Sequence, residues 1–282
     1  MEFFKALFDP EMSFVRNAVI SAFLSSIPIG IVGSFTVVNR MSYIAGSISH
    51  SVLGGVGVSL YLNTVLGINL LSPSLGGALF AILSGIIISV FYLWGKERVD
   101  TAISVVWIVG MSLGILFAYL TPRFTDITSY LFGNILLIST EDIAYILIIS
   151  FLVLGITVVF FHQFVLVSFD KEFSKIRGIA PEVFLTLLIL LISITVFLMI
   201  KTVGVILSIA LITLPSAIAS FFTKRISTMI ILSTFTAIFV QFIGIGISYE
   251  LDLPTGVLIT LLLSVIYIIL LAFKGVVTKL TF

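Results

Sequence analysis

The sequence predicts an all-α, polytopic membrane protein of about nine transmembrane helices, forming a single domain over residues 1–282. Three observations carry that prediction. Hydrophobic residues fill 60% of the positions and charged ones only 10%, where a soluble domain carries about 25% charge. The mean hydropathy is +1.33. The apolar residues also fall into runs of about 20, the length a helix needs to cross a hydrocarbon core of about 30 Å.

In chain order the candidate spans are 13–38, 42–63, 73–95, 101–121, 142–167, 181–200, 202–222, 226–248 and 255–273. The second is the least hydrophobic of them. The run 129–138, S-Y-L-F-G-N-I-L-L-I, is too short to cross and reads as a surface or re-entrant helix. The N-terminus, M-E-F-F-K-A-L-F-D-P-E, mixes charges and lacks a basic stretch leading to a small-residue cleavage site. It is expected to be a short amphipathic helix on the membrane surface, not a cleaved leader.

Composition excludes several chemistries. A net charge of +1 without a long basic cluster argues against nucleic acid as a partner. The absence of cysteine removes disulfides, thiolate metal sites and cysteine nucleophiles. No G-x-x-x-x-G-K-[ST] loop occurs, so the chain is not expected to be an enzyme that hydrolyses ATP.

Lys and Arg in the loops set the orientation. Placing Lys171, Lys175 and Arg177 in the cytoplasm puts Arg40, Lys96, Arg98, Lys224, Arg225, Lys274 and Lys279 there as well. Those ten stand against Lys5, Arg16, Arg123 and Lys201 outside, so the N-terminus is expected outside and the C-terminus inside. A cysteine at Thr125 should then be labelled from outside and one at Ser174 from inside.

Met41 to Ser59 is the most unusual stretch. Flanked by apolar runs, it holds five serines, four glycines and His50. Ionisable groups at membrane depth are costly and point to a substrate path. Small residues such as Gly46, Gly54, Gly55 and Gly57 also let helices approach closely. Ser47, Ser49 and His50 are therefore either the polar lining of a path or parts of a packed interface. His50 lies about 15 Å along a helix from Arg40 at 1.5 Å per residue, near the middle of the core. A neutral imidazole there suits a divalent transition metal. Met111, in the middle of the fourth span, offers a soft thioether or simply packs. His162 reads as interfacial and structural.

The segment S-F-D-K-E-F-S-K-I-R-G-I-A-P (168–181) reads as a short charged helix on the cytoplasmic side. Asp170 can cap it, Glu172 suits its first turn, and Lys175 and Arg177 suit its last. Gly178 can end it at positive φ, and Pro181 can start the next helix. Phe173 and Ile176 share one face. This is either an ordinary loop or a docking element for a cytosolic partner. Between 201 and 225, Pro215 frees a backbone carbonyl that Ser208, Thr213 or Ser216 can satisfy. That span either lines a path or is a kinked packing helix.

Several blocks together resemble one family. They are A-G-S-I-S-H-S-V-L-G-G-V-G, D-T-A-I-S-V-V-W (100–107), Y-L-F-G-N-I-L-L-I (130–138), V-S-F-D-K-E-F (167–173) and V-G-V-I-L-S-I-A-L-I-T-L-P-S-A-I-A (203–219). They resemble the permease subunits of zinc/manganese ABC importers, over nearly the whole chain. L-P-T-G-V-L (253–258) adds a more distant likeness to cobalamin and siderophore permeases. The resemblance implies a type II importer in a prokaryotic plasma membrane: a permease homodimer, two cytosolic ATP-binding subunits and an extracytoplasmic metal-binding protein. The cargo would be zinc, manganese or iron, carried by alternating access with no permanently bound cofactor. It implies that His50 meets the metal and that Asp170, Glu172, Phe173, Ile176 and Gly178 belong to the element coupling the permease to the ATPase. Similar permeases carry an acidic residue where this chain has Gly46.

Two other classes compete. An ion-driven secondary transporter commonly shows acidic residues within spans and repeated halves, whereas here Asp and Glu sit at or near predicted ends. An intramembrane hydrolase would pair a serine with His50, but no G-x-S-x-G elbow occurs.

Overall fold

The computed structural model describes residues 2–68, 71–94, 99–122, 135 and 138–280. The helices among them are α1 (Glu2–Phe8), α2 (Ser13–Val38), α3 (Ser42–Thr64), α4 (Pro73–Trp94), α5 (Val99–Tyr119), α6 (Thr140–Phe169), α7 (Lys171–Ile176), α8 (Pro181–Ser220), α9 (Ile226–Leu251) and α10 (Thr255–Leu280). Eight of these are long and apolar enough to cross a membrane. Of the run 129–138, all but Ile135 and Ile138 lie outside the described residues.

The expected spans 181–200 and 202–222 both map onto α8, the second running two residues past its end. Its 40 residues would extend about 60 Å as one straight helix, twice a hydrocarbon core. The helix breaks at Gly204, whose φ of 82° and ψ of 173° are open essentially to glycine alone. Side-chain partners show where each half goes. Lys201 pairs with Asp142 at the start of α6, Nζ to Oδ1 2.9 Å. That point is level with the start of α2, where Asn17 donates to the Ile138 carbonyl at 3.3 Å. Past Gly204 the Ile212 carbonyl and the Ser216 hydroxyl press against Gly33, near the opposite end of α2. The chain therefore turns back at Gly204, and α8 makes two crossings. Among the described residues eight long helices give nine crossings. The break lies at Gly204; Pro215 sits within helical backbone.

Burial separates inner helices from outer ones. The spanning windows of α3, α2 and α8 are 78%, 72% and 61% buried, while those of the other five range from 17% to 39%. This accounts for the hydropathy of α3, the lowest of the eight at 1.2. Its surface meets other helices instead of lipid, so it can carry serine and glycine without facing hydrocarbon.

Local chemistry sets the ends. Ser139 and Asp142 form a capping box at the start of α6, satisfying donors the first turn would leave free. Asp252 ends α9 in the left-handed region at φ 52°. Helix α1 is amphipathic, as expected, with Phe3 and Ala6 buried. It packs Phe3 edge-on against Phe242 at 5.7 Å, and the Phe3 N–H donates to Glu250.

The end of the bundle bearing α7 holds Arg40, Lys171, Lys175, Arg177, Lys224 and Arg225. By the positive-inside rule it faces the cytoplasm. Ser174 is fully buried, so it is a poor labelling site, and Thr125 lies outside the described residues. Ile176 is 83% exposed, and Glu11 is exposed at the opposite end. Because the chain lacks cysteine, an impermeant thiol reagent should label Ile176→Cys only from the cytoplasmic face and Glu11→Cys only from the other. Labelling of both from one face would overturn the nine-crossing topology.

Candidate functional site

Three serines of α3 reach three different helices. Successive positions on a helix turn by about 100°, so alternate residues point to separate neighbours. Ser47 donates to the Ile103 carbonyl of α5 at 2.8 Å. Ser49 lies 3.3 Å from the Ser208 hydroxyl of α8, and Ser51 lies 2.6 Å from the Ser84 hydroxyl of α4. All three are buried. They are interhelical bonds between small polar residues, the form that holds membrane helices together. The glycines of α3 serve the same packing. A methyl group at Gly54 would lie 2.7 Å from the Gly110 carbonyl, and one at Gly57 2.6 Å from that of Gly114, so α3 and α5 touch through their backbones.

For Ser47 and Ser49, then, the structure gives packing contacts in place of an exposed lining. The same holds for two residues further along. Thr213 donates to the Ile209 carbonyl at 2.7 Å, and the buried Ser216 meets the Ser233 hydroxyl at 2.7 Å. Pro215 leaves the Leu211 carbonyl without its helical donor, and these hydroxyls take other partners.

His50 differs from its neighbours. It is half-buried, on the stretch of α3 between Ser49 and Ser51, about 12 Å along the axis from Ser42. Its ring stacks on the indole of Trp107, centroids 4.5 Å apart and planes 11° from parallel. Its Nδ1 is buried and meets no hydrogen-bond partner. Buried polar atoms are normally paired, so an unpaired imidazole nitrogen fits a group whose partner is a transient ligand. Met111 is half-buried one turn beyond Trp107, and it is the indole that covers His50. Among the described residues no group of three or more His, Cys, Asp or Glu side chains could enclose a metal. One subunit thus offers one imidazole.

Trp107 was not singled out from sequence, although it ends the block D-T-A-I-S-V-V-W. Its pairing with His50 depends on α5 packing against α3, which no local pattern reveals. Trp107 also lines a recess with Tyr43, Asp100, Ile103 and Ser104. The recess opens beside the first turns of α3 and α5, at the basic end of the bundle. A larger groove near α1, lined by Phe3, Phe4, Phe242, Ile243, Gly246, Ile247, Glu250 and Leu251, is mostly apolar, and the Glu250 carboxylate on its wall accepts from the Phe3 N–H at 3.0 Å.

Helix α7 follows its sequence signals closely. The Asp170 side chain accepts from the Phe173 N–H at 2.9 Å, the expected N-cap. At the other end the Ile179 N–H donates to the Ser174 carbonyl at 3.0 Å, and the Gly178 N–H to that of Lys175 at 2.9 Å. This is the paired termination that requires a left-handed residue, and Gly178 has φ 76°. Ser174 anchors the inner side of the helix, while Phe173 and Ile176 are 41% and 83% exposed. Arg177 lies over the Phe173 ring at 5.1 Å. Lys175 pairs with Glu182 at 3.1 Å, tying α7 to the first turn of α8; the bonded carboxylate raises the Lys175 pKa above its usual value. The result is an apolar pair on a short, well-capped charged helix projecting from the basic end.

Comparisons with known proteins agree with this architecture. The chain is 34% identical to a probable metal transport system membrane protein of Chlamydia muridarum, covering 91% of this chain and 88% of that one. It is 32% identical to the manganese import system permease protein ScaB of Streptococcus gordonii, over 95% and 93% of the two chains. A solved structure titled PsaBC from Streptococcus pneumoniae in complex with Fab matches with TM-score 0.81 and 30% identity, covering 95% of this chain and 94% of that one. A putative metal-chelate type ABC transporter in an inward-facing conformation shares the fold, with TM-score 0.73 at 15% identity over 94% and 89% of the chains. The model of the ABC 3 transport family matches residues 11–274, and the chain, a multi-pass membrane permease, belongs to that family.

Proposed function

We propose that this chain is the membrane-spanning subunit of an importer for a divalent transition-metal ion, with manganese favoured by the names its relatives carry. Two copies associate so that both His50 side chains face one path. Cytosolic ATP-binding subunits drive it, and an extracytoplasmic metal-binding protein delivers the ion. The permease itself carries out no hydrolysis.

The observation that carries this proposal is His50: a half-buried imidazole at membrane depth, held by an indole, with an unpaired nitrogen. One imidazole per subunit is a weak ligand set, and two across a dimer axis remain incomplete. Incomplete coordination suits transport, since an ion must leave as readily as it enters. A carboxylate at position 46 is not what fills the set here. A Cβ at Gly46 would meet only Trp107 within 4 Å, at 3.8 Å, so the position has room for a side chain and this sequence leaves it empty.

The test is ATP turnover by the purified permease–ATPase complex. Metal-loaded binding protein should stimulate turnover more than the empty form. Equal rates with loaded and empty protein would remove the metal as the transported cargo.

A further inference from the structure

The geometry points to Trp107 as the inner gate of the His50 path, with the recess of Tyr43, Asp100 and Ser104 as the vestibule below it; this rests on the proposed path through His50. The indole borders two features of the site. On one side it stacks against His50. On the other it forms the end wall of the recess, whose opening lies at the basic end, where α3 and α5 both begin.

The ring also covers Gly46. His50 follows Gly46 by one helical turn, so both face the same direction, and the indole spans the two. The sole heavy atom outside the local chain that a Cβ at Gly46 would approach within 4 Å is Trp107 Cζ3. The indole is thus what covers this face of α3, and Trp107 is itself only half-buried, so a rotation of its side chain away from α3 would expose the covered face.

The vestibule has the chemistry of an exit for a cation. Asp100 and Ser104 lie one turn apart on α5, the Ser104 hydroxyl donating to the Asp100 carbonyl at 2.8 Å. The Asp100 carboxylate and the Tyr43 phenol line the recess beneath the indole. An ion released from His50 past Trp107 would meet oxygen ligands that bind it loosely, in a region open to the cytoplasm. Trp107 thereby blocks passage between binding and release.

Thiol accessibility tests this without any metal, since the chain has no cysteine of its own. Gly46→Cys and Ser104→Cys are made singly and treated in inside-out vesicles with an impermeant thiol reagent. Ser104→Cys should react readily, and Gly46→Cys should be protected. If the indole stands aside about 0.1–10% of the time, as minor conformers commonly do, Trp107→Ala should raise labelling of Gly46→Cys by about tenfold or more. Trp107→Phe, which keeps a smaller ring, should give an intermediate rate and serves if the alanine variant does not insert. Unchanged labelling of Gly46→Cys on loss of the indole, or an unreactive Ser104→Cys, would overturn the gate. Opening by Trp107→Ala together with normal uptake by His50→Ala would keep the gate and remove the metal path; the converse pair of results would remove the gate alone.

Discussion

Replacing His50 by alanine is expected to cut metal uptake by about tenfold or more, while leaving membrane insertion and assembly with the ATPase intact. The size follows from metal-site chemistry: losing a group that merely orients a ligand costs about 10–100-fold, and here the ligand itself is removed. Insertion should survive because the neighbouring serines supply the bonds of α3 to α5, α8 and α4. His50 Nδ1 has no partner whose loss would strand a second polar group. Uptake of radioactive manganese in cells, normalised to permease in the membrane, is the measurement. Wild-type uptake by properly inserted variant would remove His50 from the path.

The second large effect concerns α7. Phe173→Ala is expected to weaken assembly with the ATPase by about 2 kcal/mol, the cost of losing a buried aromatic at an interface centre, or about 30-fold in Kd. Phe173 and Ile176 lie exposed on a helix whose other side is anchored by Ser174. Exposed apolar side chains on an otherwise charged element are what a docking cleft would cover. Gly178→Val acts differently: valine is strained at φ 76°, so the paired bonds from Gly178 and Ile179 should loosen and α7 should lose its set direction. Both variants should insert normally yet co-purify less ATPase, or hydrolyse ATP without coupled uptake. Wild-type values for both would mean that α7 is not the coupling element.

The parts legible in the sequence were those set by local chemistry. Asp170, Gly178 and Pro181 mark a cap, a left-handed stop and a helix start, and all three act so. Span existence was legible because hydropathy over about 20 residues needs no knowledge of neighbours. The turn at Gly204 was half-visible: Lys201 marked the boundary, but no polar loop follows it, and the reversal is made by one backbone angle. The role of the serines was not legible. In hydrocarbon a serine lining a path and one bonding to a neighbouring helix look alike in sequence, and only the packing assigns Ser47, Ser49 and Ser216 to the second use. Trp107 escaped for the same reason, since its meaning lies in a contact between helices separated by α4.

The most direct test of a metal importer driven by ATP is reconstitution in liposomes with the ATPase, the metal-binding protein and no imposed ion gradient. Manganese should accumulate only when ATP is present on the ATPase side and the binding protein on the other. Accumulation driven by a proton or sodium gradient, with ATPase and ATP left out, would contradict it and identify a secondary transporter instead.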